Sequence, residues 1–200
     1  MEVTAGMVKE LREKTGAGIM DCKEALKESG GNFEEAVTFL RKKGLAVAAK
    51  RAGRATKEGT VGMYLHSDGK LAVMVEVNSE TDFVAKTDDF KALAKNLAMQ
   101  VAATNPACVS SEDFPQDILD REKEIYRDQA LESGKPENVI DKIVEGRLKK
   151  FFKESTLLDQ PFVKDPDKNV QDVINETIAK CGENISVRRF VRIKVGEEAS

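Results

Sequence analysis

Apolar residues recur at helical spacing through the first fifty positions. Met7, Val8 and Leu11 give one face to a helix over "TAGMVKELREKTG", with Thr4 as candidate N-cap and Gly16 as its close. In "GIMDCKEALKESGG" a second helix turns Met20, Ala25 and Leu26 inward and stops at Gly30-Gly31. A third begins at "NFEEAV". Asn32 is its cap, Glu35 completes a capping-box-like pair, and Phe33, Ala36, Val37 and Leu40 form a buried stripe. Helices this short predict a small three-helix bundle.

The period then changes from helical to alternating. "GTVGMYLHS" and "KLAVMVEVN" flank "SDGK", and the Asp68-Gly69 pair predicts a hairpin turn. "DDFKALAKNLAMQVAATNP" predicts a helix capped by Thr87 or Asp88 that ends before Pro106. Phe90, Leu93, Ala94, Leu97, Met99 and Val101 are available to cover one face of the sheet. Residues 110 to 152 are rich in charge. Two long amphipathic segments separated by Ser133-Gly134 predict an antiparallel helical hairpin over about 112–152, projecting from the body.

"TLLDQPFVKDPDKNV" is too apolar for a linker, and Leu157, Leu158, Pro161, Phe162 and Val163 suit a core and an interface equally well. A helix over "VQDVINETIAKCG" precedes a last strand in "ENISVRRFVRIKVGE". There Val187, Phe190/Val191, Ile193 and Val195 alternate, with a register break near Arg188-Arg189. That strand can join the hairpin in a small antiparallel sheet with helices on one face, an α+β fold. The expected domains are a bundle with a basic linker at 1–53 and an α/β core at 54–200.

Composition narrows the function. The chain has 200 residues, of which 40% are hydrophobic and 34% charged. No apolar run nears the roughly 18 residues that cross a bilayer, and the N-terminus has no secretory pattern. A cytoplasmic protein without membrane attachment is expected. Cys22, Cys108 and Cys181 match no metal-ligand spacing and read as free thiols. His66 lies in the hairpin turn, where a solvated role is expected. No phosphate-binding loop, nucleophile–base pair or metal cluster is visible, so neither an enzyme nor a cofactor is expected. A net charge of −3 argues against a general nucleic-acid binder. Between Arg41 and Lys57 seven basic residues stand without an acid. They suit either a solvated helix end or a docking patch for an acidic partner.

One stretch resists these readings. In "EVNSETDFVAKTDDF" a buried-looking strand gives way to a polar corner with Phe83 inside it. By pattern alone Phe83 is a core residue at a strand-to-helix corner, since most aromatics are buried.

Four segments carry a family resemblance. "VKELREKTGAGIMDCKEAL", "EVNSETDFVAK", "IVEGRLKKFFKESTLLDQPFV" and "ENISVRRFVRIKVGE" resemble, in order, signatures of elongation factor Ts. The length is similar to that of the family's short members, with one α/β core. The resemblance implies a guanine-nucleotide exchange factor for elongation factor Tu, binding its GDP-bound or nucleotide-free form. It also implies a bundle of the ubiquitin-associated type that docks on the GTPase.

The family's wedge falls on Thr81, Asp82, Phe83 and Val84. Docking from the bundle is expected at Arg12, Thr15, Gly16, Gly18, Met20, Asp21 and Lys23, although core packing is the favoured reading of Met20. A second interface is expected at Leu158, Pro161 and Phe162. A single-core factor is expected to pair with a second copy, through a sheet edge or the helical hairpin. Two alternatives remain. A ubiquitin-like-protein-binding adaptor leaves the "TDFVAK" corner unexplained, and an RNA-binding module lacks an aromatic platform.

Overall fold

Caps set the limits of the N-terminal helices. The computed structural model describes residues 3–134 and 136–197. Helix α1 spans Ala5–Thr15, α2 Ile19–Glu28 and α3 Phe33–Arg51. Thr4 Oγ accepts the Met7 N–H, and Gly16 closes α1 at φ 68°, a left-handed conformation that glycine adopts without a Cβ clash. Asn32 Oδ1 accepts the amides of Glu34 and Glu35, while its Nδ2 donates to the Glu35 carboxylate. Val8, Leu11, Cys22, Ala25, Leu26 and Ala36 form the buried cluster of this bundle, with Met7, Phe33, Val37 and Leu40 packed against it. Met20 does not belong to it: this residue is 74% exposed, and Cys22 takes the inward position on α2. Two residues on in a helix is a rotation of about 200°, so Met20 and Cys22 cannot share a face.

Strands β1 (Glu58–Leu65) and β2 (Leu71–Ser79) form the expected hairpin. His66 N–H donates to the Leu71 carbonyl, Gly69 has φ 69°, and Asp68 accepts the Lys70 amide. His66 is exposed and its Nδ1 lies 3.0 Å from the Tyr64 hydroxyl. A short helix α4 (Asp82–Ala85) leads into α5 (Asp88–Thr104), whose N-terminal cap is Thr87, accepting the Phe90 amide.

Helices α6 (Gln116–Glu132) and α7 (Glu137–Ser155) pack as the helical hairpin. Two short strands follow, β3 (Pro161–Phe162) and β4 (Asp165–Asn169), paired antiparallel. Helix α8 (Val170–Cys181) and strand β5 (Ile185–Lys194) complete the chain. β5 is continuous, but Arg188 and Arg189 are exposed in succession where the register break was expected, and the covered positions change from Ile185 and Val187 before them to Phe190 and Arg192 after them. The fold is α+β, with a small antiparallel sheet of order β1-β2-β5.

The chain divides into two compact units, and β1, β2, α5 and β5 each run across the division. One comprises Met1–Thr60, Val77–Leu93 and Asp172–Ser186; the other comprises Val61–Glu76, Ala94–Gln171 and Val187–Ser200. In the second unit Gly62 lies against α5: a Cβ there would stand 2.2 Å from the Ala94 carbonyl oxygen. The opposite sheet face is open. Val61, Met63 and Leu65 on β1, Met74 on β2, and Val191 and Ile193 on β5 are all exposed. Exposed and covered residues alternate here as strand geometry requires: Met74 stands between buried Val73 and Val75, and exposed Val191 and Ile193 stand on either side of half-buried Arg192.

Candidate functional site

The corner after β2 is held from below. Ser79, fully buried, donates its hydroxyl to the Thr81 carbonyl at 2.9 Å. Thr81 then gives both its donors to one carboxylate. Its amide reaches Glu183 Oε2 at 3.0 Å, and its hydroxyl reaches Oε1 at 2.7 Å. Beside it, Glu80 accepts the Asn184 amide at 2.7 Å and lies 3.5 and 3.4 Å from the guanidinium groups of Arg51 and Arg54. The Asn184 amide, with Arg54 and Arg51 behind it, holds the Glu80 carboxyl below its ordinary range against the opposing effect of desolvation. Asn184 Nδ2 donates to the Arg54 carbonyl, which closes the cluster.

On this base the single turn of α4 divides its residues. Val84 and Ala85 are buried, and the Val84 carbonyl accepts the Thr87 hydroxyl. Asp82 is exposed and pairs with Lys86 at 2.5 Å, which raises the lysine's pKa. Phe83 is 86% exposed, the most exposed of the chain's large apolar side chains among the described residues. The expectation from pattern, a core phenylalanine, is therefore wrong. Phe90 is fully buried. Val84, grouped with the wedge in the sequence, faces inward and anchors the turn instead of presenting a surface.

The bundle residues divide in the same way. Arg12, Gly16, Gly18, Met20 and Lys23 are exposed, and Ile19 beside Met20 is exposed as well. Thr15 is partly buried and donates its hydroxyl to the Leu11 carbonyl. Asp21 pairs with Lys43 at 2.8 Å, and Lys43 also meets Glu24, so these acids raise the lysine's pKa. The nearest neighbour of Gly16 belongs to its own unit: a Cβ there would lie 2.6 Å from the Lys180 side chain. The basic linker is largely engaged within its unit. Arg41 pairs with Asp172, Lys43 with Asp21 and Glu24, and Arg51 and Arg54 with Glu80. These pairs weaken the reading of the run as a free docking patch.

The "LLDQPF" segment is mainly core. Leu157 and Phe162 are buried, Leu158 is half-buried, and Pro161 is exposed. Gln100, itself buried, organises this turn. Its side-chain Nε2 donates to Gln160 Oε1 and to the Pro161 carbonyl, and its side-chain Oε1 accepts the Val163 amide. Phe162 was expected at an interface and instead fills the interior. Its neighbour's polar backbone is satisfied by a side chain 61 positions away, a partner that no local pattern reveals.

Glu80, Glu183 and Asn184 escaped the sequence reading. They lie inside two of the segments that carry the resemblance, but nothing local marks their role, since Glu183 meets Thr81 across 102 positions. Among the described residues no group of three or more His, Cys, Asp or Glu is placed to hold a metal ion, and no helix is long and apolar enough to cross a membrane.

Comparison with known proteins identifies the frame in which this corner sits. The family model described as elongation factor TS matches residues 1–197. The elongation factor Ts of Desulfosudis oleivorans is 62% identical over 195 residues, 98% of each chain. That of Maridesulfovibrio salexigens is 60% identical over 197 residues, 98% of this chain and 96% of its own. That of Nitratidesulfovibrio vulgaris is 58% identical over 198 residues, 99% of each. With a match that runs the length of the chain and relatives of the same size, this protein belongs to the elongation factor Ts family.

Proposed function

We propose that this chain is the guanine-nucleotide exchange factor for elongation factor Tu in translation elongation, acting in the cytoplasm, and that Phe83 is its wedge. The observation that carries the reading is the exposed ring of Phe83 on a turn anchored by Val84 and by the Thr81–Glu183 pair. A rigid aromatic ring presented this way can enter between elements of a partner and repack them. The partner's grip on GDP phosphate and Mg²⁺ depends on near-ideal geometry, so a small displacement there lowers nucleotide affinity. No bond is made or broken by the factor. Its effect is a coupling free energy, and a thousandfold loss of GDP affinity corresponds to about 4 kcal/mol. One side chain of this kind supplies about 2–4 kcal/mol of it.

Docking by the bundle supplies the remainder. Ile19 and Met20, apolar and exposed at the start of α2, with Arg12, Lys23 and the Gly16–Gly18 turn nearby in sequence, support a contact surface at residues 1–53. Pairing of two copies is supported by the open apolar face of Val61, Met63, Leu65, Met74, Val191 and Ile193, an area that single soluble chains seldom leave bare. This face, not the sheet edge or the helical hairpin, is the better candidate for self-association. The deciding experiment is release of a fluorescent GDP from elongation factor Tu. Release accelerated in proportion to added factor is expected, and release at the unassisted rate refutes the function.

A further inference from the structure

We infer that Glu183 is a positioning residue for nucleotide exchange: it holds the Thr81–Asp82–Phe83 corner so that the phenylalanine ring is aimed before the partner arrives. The inference rests on the wedge reading of Phe83. Three observations carry it. Thr81 directs its amide and its hydroxyl to the two oxygens of this one carboxylate, at 3.0 and 2.7 Å. Both donors belong to the residue that caps α4, which has no side-chain cap bond of its own. The next residue, Asn184, binds Glu80 on the other side of Thr81, so consecutive residues of the turn before β5 grip consecutive residues of the corner. An exposed ring on a single helical turn has no packing of its own to orient it. Its direction is inherited from the backbone at Thr81 and from buried Val84. A partly buried carboxylate that accepts two donors with both oxygens fixes that backbone more firmly than a neutral acceptor does. Pre-organisation of this kind lowers the cost of ordering the corner during binding.

The test uses the full chain with GDP-loaded elongation factor Tu and reads the stimulated release rate against factor concentration. Alongside it, amide hydrogen exchange is followed over residues 80–87. Glu183→Ala is expected to lower the maximal stimulated rate about tenfold, the factor carried by the loss of a charge-assisted hydrogen bond, with a half-saturating concentration changed by less than about threefold. Exchange should quicken over residues 80–87 and stay unchanged in the bundle. Glu183→Gln keeps one oxygen acceptor for Thr81 without the charge and is expected to fall between Glu183→Ala and the parent. Should Glu183→Ala fail to fold, Glu183→Gln and Thr81→Val carry the test, and both are expected to be slowed.

A full rate with Glu183→Ala, while Phe83→Ala is slow, overturns the positioning role and leaves the wedge standing. Uniform loss of protection across the chain overturns it in favour of a merely structural role. Unimpaired exchange by Phe83→Ala removes the wedge and this inference together.

Discussion

The solvated ring of Phe83 runs against its own hydration. Burying a phenylalanine side chain is worth about 1.5–3 kcal/mol, and this one remains in water. Phe83→Ala should therefore leave the free energy of unfolding from urea titration unchanged to within about 0.5 kcal/mol, while Phe90→Ala, fully buried, should cost about 3–5 kcal/mol. If exposure is reserved for exchange, GDP release slows in the first variant even though its stability is intact. The thiols are legible in a similar way. Desolvation, with Asp113 and Asp159 nearby, pushes the Cys108 pKa up to about 11 from an ordinary 9.0. At pH 8 its thiolate is then about a hundredfold rarer than in the unfolded chain, so alkylation of native Cys108 should be correspondingly slow. Because the folded value is the higher one, the stability linked to this thiol is complete below pH 9 and is lost between about pH 9 and 11. Sequence could name these residues. It could not say that Met20 points outward and Cys22 inward, because which arc of α2 meets α1 and α3 is decided by the bundle.

At the scale of elements, the alternation of β1 and β5 was plain, yet it did not say which face α5 would cover. Gly62 supplies the reason. Its missing side chain lets α5 approach to a distance no Cβ would permit, which commits the Gly62 face to the interior and leaves Met63 and its neighbours outside. Gly62→Val should cost more than about 2 kcal/mol in denaturant unfolding, since the clash is with backbone and cannot be relieved by a rotamer change. On the open face, Met63→Lys with Ile193→Asp should preserve the circular dichroism spectrum and convert a pair of copies to single chains in light scattering. A parent protein that is already single at micromolar concentration would refute the pairing. The corner has its own pH signature. Glu80 is held below the ordinary carboxylate value of 4.5 in the folded chain, so its contribution is present above that value and is lost as pH falls through the lowered one. Hydrogen exchange over residues 80–87 should quicken on that acid side before the bundle opens.

Across the whole molecule, function is a matter of linkage. If the factor lowers GDP affinity, GDP must lower the factor's affinity for the GTPase by the same ratio. Titrating GDP into the complex and measuring dissociation of the factor should return the ratio obtained from release measurements, within experimental error. Membership in the elongation factor Ts family was readable from four segments in their order along the chain, and the match over residues 1–197 agrees with it. The order and extent of most elements were readable too, because caps, turns and periodicity act over a few residues. Thr4, Asn32, Thr87 and the Asp68-Gly69 turn show this. The placement of side chains followed a different rule. Phe83 is outside and Phe162 inside, Glu183 lies under Thr81, and an apolar sheet face is left bare, because each of these depends on residues tens of positions away in the chain. Local sequence determined what could form; long-range packing decided which surface each residue would show, since only the assembled core specifies what remains for water and for a partner.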